Sequence, residues 1–329
     1  MKRILLAVLC VVVGVCVVCA ESRWDECRWQ MLDPTGDPTG RHECVFVAYE
    51  DKFYLLGGRG VLPVNVYDPQ TNSWTEKGKT PIEINHFQAV VYGDLIYVVC
   101  AMNGNYPTEL PLQHVWIYNP RTDVWRQGGA IPAAFQRGGG GAVVYKDKIY
   151  VACGIDYGHT SGTSNLFSCY DPRTDSWSAL TKAPHIRDHF AAIVVGDKLY
   201  CIGGRNSSYH YPDAFGAFFK AVVPEVDVYD FVEGKWATLR EPLPVPTAAG
   251  GVVVDGNEII YMGGEGDQPL AFSQTQCLDL ATGKWRQLAP MAQGMHGASA
   301  ILYDGAIYWA AGSYRMGGSD LNTIQRMGL

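Results

Sequence analysis

The chain has 329 residues, 47% of them hydrophobic, with a formal net charge of −7 that deepens if Lys2 and Arg3 are removed. It has no basic run, so nucleic acid and anionic membrane surfaces are excluded as expected partners. The length is ample for one all-β domain with a buried core.

The first element is targeting. Met1-Lys2-Arg3 supplies two positive charges, Ile4 to Val18 an apolar stretch, and Ala20 a small residue before charged and polar sequence. That order reads as a secretory signal peptide over residues 1–20, cut after Ala20. The apolar run falls short of the ~20 residues a spanning helix needs. The expected location is therefore secreted and extracellular (periplasmic if bacterial), with no membrane insertion after cleavage. Cys27, Cys44, Cys100, Cys153, Cys169, Cys201 and Cys277 would remain, an odd number without any CxxC spacing. Neither zinc nor thioredoxin-like chemistry is supported, and no metal or other cofactor is expected. Mostly buried free thiols are expected. Asn206-Ser207-Ser208 is an N-glycosylation sequon.

Residues 21–329 then repeat. Tyr67 precedes Trp74 by seven residues, and Tyr118/Trp125, Tyr170/Trp177, Tyr229/Trp236 and Leu278/Trp285 keep that gap. Before each comes an apolar run, a tight turn, a second apolar run and a pair of small residues. The pairs are Gly57-Gly58, Cys100-Ala101, Cys153-Gly154, Gly203-Gly204, Gly263-Gly264 and Ala311-Gly312. The turns, such as Gly93-Asp94, Asp255-Gly256 and Asp304-Gly305, are hairpin signals. Each repeat is thus four short strands, a to d, at a period of about 50 residues, which describes propeller blades. The blades lie near 41–78, 82–129, 135–181, 185–240, 246–289 and 294–327. The last lacks a downstream Trp, and the isolated Trp29 in a strand near 24–32 is expected to complete it.

Glycine pair, Tyr before a turn, and Trp on the last strand together resemble the kelch repeat. The resemblance covers nearly all of 21–329 and implies an all-β, six-bladed propeller closed by the N-terminal strand. It also implies ligand or partner binding through the d–a and b–c connections, which share one face. Indexed by the glycine pair, the position opening strand a reads Arg41, Ile84, Arg137, Arg187, Thr247 and Met295. Two residues on it reads Glu43, His86, Gly139, His189, Ala249 and Gly297, and just past the pair Arg59, Met102, Ile155, Arg205, Glu265 and Ser313.

The expected ligand-binding set is Arg41, Arg59, Arg137, Arg187, Arg205, His86, His189 and Glu265. Guanidinium forks suit carboxylates, so an anionic glycan or an acidic protein segment is the expected partner. The competing reading makes the arginines struts, paired with Glu43, Asp188, Glu265 or backbone carbonyls. The loop from Arg205 to Pro224 carries Tyr209, His210, Tyr211, Phe215, Phe218 and Phe219, either a binding lip or a plug over the ring. Asp156 to Ser164 reads as a mobile loop at the rim. No residue is assigned as catalytic. Galactose-oxidase-like copper chemistry is disfavoured although His86, His159 and His189 fall on the right face, because the regular tyrosines occupy core positions. A sialic-acid-mutarotase-like isomerase is the alternative, with Glu43, His189, Glu265 and the ring arginines as its working groups. Extracellular binding is the leading reading.

Overall fold

The computed structural model describes residues 22–329; the expected signal peptide lies outside them. Six four-stranded antiparallel sheets surround one axis, each strand pairing with its sequence neighbour except at the closure. Blade 1 is Cys44–Tyr49, Lys52–Gly57, Pro63–Asp68 and Ser73–Lys79. Blade 2 is Val90–Tyr92, Leu95–Val98, His114–Asn119 and Val124–Ala130; blade 3 is Gly141–Tyr145, Lys148–Gly154, Ser164–Asp171 and Ser176–Ala179. Blade 4 is Ala191–Val195, Lys198–Ile202, Asp227–Asp230 and Lys235–Thr238; blade 5 is Gly251–Asp255, Glu258–Met262, Thr275–Asp279 and Lys284–Gln287. Blade 6 takes Ala300–Tyr303, Ala306–Ala310 and Ile324–Gly328 from the C-terminal end and Arg28–Met31 from the N-terminal end. Trp29 lies opposite Met327 in that last pair. The chain closes its own ring, so no sheet is left with an unpaired fourth strand.

The seven-residue aromatic gap has a simple cause: Tyr67, Tyr118, Tyr170, Tyr229 and Leu278 sit directly across the c–d hairpin from Trp74, Trp125, Trp177, Trp236 and Trp285. The four Tyr–Trp ring centroids are 4.9–5.1 Å apart, the distance of favourable cross-strand aromatic pairs. In blades 1 to 3 the tyrosine hydroxyl also donates to the turn residue Asn72, Asp123 or Asp175. Those turn residues hold positive φ, where Asn and Asp are tolerated; Gly234 and Gly283 fill the same place in blades 4 and 5.

Six apolar clusters form the core, one at each blade–blade interface. Phe46, Phe53, Tyr67 and Trp74 of blade 1 pack with Ile301, Tyr308 and Ile324 of blade 6. Trp24 and Trp29 enter the interface of blades 5 and 6 beside Ile260, Met291 and Trp309. All seven described cysteines are buried and unpaired. Burial pushes thiols such as Cys44 and Cys153 up to about 12, which makes them unreactive.

The strands a line an axial channel of about 560 Å³ with Val, Ala and Ile side chains. At one end it meets a closed ring of backbone. Glu43, His86, Gly139, His189, Ala249 and Gly297 all hold φ between 50° and 71°. His86 N–H donates to Glu43 O, Gly139 to His86, His189 to Gly139, Ala249 to His189 and Gly297 to Ala249, at 2.6–3.2 Å. Cys44 N–H completes the circuit on Gly297 O at 3.1 Å. Four members are not glycine, and each carries the ~1–2 kcal/mol steric cost of a left-handed residue. Such strain persists only where surrounding structure over-determines it, commonly at functional sites.

Candidate functional site

The b–c and d–a connections share the face beyond this ring, here called the loop face; the tight a–b and c–d turns form the opposite hairpin face. The arginines that open strand a do not reach the loop-face mouth. Arg41 donates to Thr39 O, Gly57 O and Asn65 Oδ1. Arg137 donates to Cys153 O, Phe135 O, Val151 O and Ser168 Oγ. Arg187 donates to Gly203 O, Cys201 O and Glu225 O, and pairs with Asp227 at 2.7 Å. In each case one acceptor is the carbonyl of the first residue of the glycine pair, and Thr247 Oγ1 meets Gly263 O in the same way. The second glycine lets the chain pass: at Gly204, φ +95°, a Cβ would lie 2.8 Å from Asp188 O. All three guanidinium groups are buried and held by several acceptors, with Arg187 Nε alone left without a partner among the described residues, so they act as the struts of the competing reading. With these three committed and Arg205 buried against Glu265, the isomerase alternative keeps only Arg59 as a partly exposed ring cation and is not favoured.

The positions past the glycine pair form a second layer. Arg205 pairs with Glu265, which also accepts from Gly317 N–H at 2.8 Å. The charges of His296 and Arg205 outweigh burial and hold the Glu265 carboxyl down to about 2. Arg59 pairs at 2.7 Å with Glu109, a wholly buried residue of the blade 2 b–c loop that sequence reasoning missed. Of the expected arginines, Arg59 alone keeps appreciable exposure, 26% of its side chain.

Inside this layer lie histidines. His86 and His189 project from the backbone ring. Gly139 lies between them in the ring and offers no side chain, and blade 3 instead sends in His159 from its b–c loop. The segment expected as a mobile rim loop therefore folds inward, with Gly158 and His159 buried. The three imidazole centroids stand 5.0–5.1 Å apart. The blade 4 loop divides its aromatics. Phe218 packs over His159 and Arg205 as a plug, whereas Tyr209, Tyr211 and Phe215 are exposed as a lip. Asn206 is half-buried in a turn in which its own Oδ1 accepts from Ser208 N–H.

The comparisons with known proteins agree with this architecture. The Attractin/LZTR1 β-propeller family profile matches residues 19–264. Kelch-like protein terF of Aspergillus terreus is 32% identical over 327 residues, covering 92% of this chain and 67% of that protein. The chain belongs to this kelch β-propeller family. Kelch-like protein 36 of Bos taurus and kelch-like protein 23 of Homo sapiens are 29% and 26% identical, and the chain spans 36% and 46% of their lengths. The solved structure of YjhT superimposes with a TM-score of 0.73 at 18% identity, over 88% of this chain and 95% of that one. That likeness shows the shared kelch propeller fold alone.

Proposed function

We propose that this kelch propeller is an extracellular protein-binding module that docks its partner on the loop face. One observation carries the reading. Among the described residues, nine of the fourteen exposed large hydrophobic side chains lie on b–c loops: Val61, Tyr106, Leu110, Tyr157, Tyr209, Tyr211, Phe215, Leu270 and Met316. They come from all six blades, so they encircle one mouth. Exposed Tyr, Phe and Met in one patch are the residue types enriched at protein interfaces. Among the described residues the hairpin face exposes three of that class, Val124, Val232 and Leu329, one each on blades 2, 4 and 6. Beneath the lip, the buried ion pairs and the backbone ring give the loops a rigid base, which lowers the entropy lost on docking. An acidic segment of the partner would be met by Arg59, the one expected arginine with exposure.

The test compares three proteins. Immobilised wild type should capture a partner from the fluid bathing the producing cells, and so should the control Val124→Ser/Val232→Ser. The variant Tyr209→Ser/Tyr211→Ser/Phe215→Ser should lose it. Equal capture by the lip variant would overturn the reading. N-terminal sequencing of the exported protein should begin at Glu21; retention in the cytosol with Met1 intact would overturn the extracellular part.

A further inference from the structure

We propose that His86, His159 and His189 form a three-imidazole site for a divalent transition-metal ion of the Zn²⁺ class, buried beneath the lip. The three side chains each offer a ligand atom, and these atoms all lie within 4.8 Å of one another. Nitrogens bound to one tetrahedral ion at 2.0–2.1 Å stand about 3.4 Å apart. Small ring rotations would close that difference.

Three further observations separate this cluster from ordinary packed histidines. The first is the tautomer. His86 Nδ1–H donates to Asn85 Oδ1 at 2.7 Å, and the Asn85 amide is oriented by its own donation to Glu83. His189 Nδ1–H donates to Asp188 Oδ1 at 2.6 Å, and His159 Nδ1–H donates to Glu109 Oε2 at 3.2 Å. Each ring is thus held by its Nδ1, and Nε2 is left with its lone pair. An outer carboxylate or amide oxygen on one ring nitrogen is how metal-ligating histidines are oriented and made more basic.

The second observation is that Nε2 of His86 and of His189 has no hydrogen-bond partner among the described residues. Both side chains are at most 2% exposed. A buried ring nitrogen left unpaired is costly, and a metal ion would use both. The third is charge. The buried carboxylates of Glu43 and Asp188 have no Lys or Arg within ion-pair distance among the described residues; their ion-pair contacts are His86 at 3.6 Å and His189 at 2.6 Å. Two buried negative charges without a paired cation are unfavourable, and a dication beside them balances both. The axial channel from the hairpin face ends on the ring that carries Glu43, His86 and His189.

The site stands independently of docking on the lip. Its test uses the untagged chain, stripped by chelator dialysis and titrated with Co²⁺, followed by displacement with Zn²⁺. One equivalent of Co²⁺ should give the intense visible absorption of a low-coordinate nitrogen site, and Zn²⁺ should abolish it. His159→Ala should weaken binding at least tenfold, and Glu109→Gln, which touches no metal, 10–100-fold. Unchanged affinity in both variants overturns the proposal, as does the absence of stoichiometric Co²⁺ and Zn²⁺ binding by wild type. X-ray absorption of the wild-type zinc complex needs no variant to fold: three imidazoles in the inner shell are expected, and any other shell overturns the site.

Discussion

The two faces of the propeller are built from the same six repeats and differ in what they do with charge. On the hairpin face charges are exposed and paired loosely: Arg121 reaches Glu50 and Asp94, and Arg173 reaches Asp171 and Asp147, with most of these side chains in solvent. On the loop face the pairs Arg187–Asp227 and Arg205–Glu265 are buried, Arg59 is partly covered against a wholly buried Glu109, and apart from the exposed pair Lys220–Asp267 the rim is largely apolar. Exposed pairs contribute little because water already solvates them. Buried ones are committed, because losing one partner strands the other without solvent. The loop face is therefore where the fold is both most differentiated and least tolerant of change.

The largest effect tests the scaffold that both faces share. Deleting residues 22–32 removes Trp24, Trp29 and the fourth strand of blade 6. We expect loss of cooperative thermal unfolding by circular dichroism; an unchanged melting curve would refute the closure. Next is the contrast itself. Arg205→Ala leaves Glu265 buried without its cation and should cost about 3–5 kcal/mol in urea denaturation. Arg121→Ala, its counterpart on the hairpin face, should leave the midpoint nearly unchanged. Equal effects would erase the distinction between the faces.

Acid sharpens it from the other side. The Glu265 carboxyl sits at about 2 against an ordinary 4.5. A depressed carboxyl contributes stability that is complete above the unfolded value and lost as pH falls through the folded one, here between about 5 and 2. Glu265→Gln should flatten part of that loss in a pH series of denaturation midpoints, by a few kcal/mol at most. The smallest effect is on the struts: Arg137→Lys keeps the charge but cannot reach Cys153 O, Phe135 O and Val151 O together. It should lower stability by about 1–3 kcal/mol, since buried carbonyls lose donors; no loss would mean that the strut is dispensable.

How far the sequence revealed all this follows from what repeats. The aromatic gap was legible because it is a cross-strand pair, set by hairpin geometry alike in every blade. The ring positions from Glu43 to Gly297 were legible for the same reason: one register, counted from the glycine pair, places all six. Side-chain direction was not. Arg41, Arg137 and Arg187 occupy the expected positions but turn to the carbonyls beside the glycine pair, which no spacing encodes. Glu109 and His159 lie in b–c loops of unequal length, outside any repeat register, so their meeting with Arg59 and His86 needed coordinates. The expectation of no metal rested on the lack of CxxC spacing and on the core placement of the regular tyrosines; that His86, His159 and His189 share a face was legible, but how near they stand to one another needed coordinates.

The pairing of Trp29 with Met327 also has a consequence in time. The first strand of the propeller is partnered by its last, about 300 residues later. At ordinary elongation rates of about 5–20 residues per second, some 15–60 s separate the two. Throughout that interval the nascent chain carries an unpaired strand and two large indole side chains, Trp24 and Trp29, whose burial site in blades 5 and 6 does not yet exist. Blades 1 to 4 can stack as they emerge, but the ring cannot lock until the final residues are free. Late truncations should therefore harm the beginning of the chain as much as its end, with the orphaned N-terminal strand as the first segment open to proteases or to pairing with another molecule.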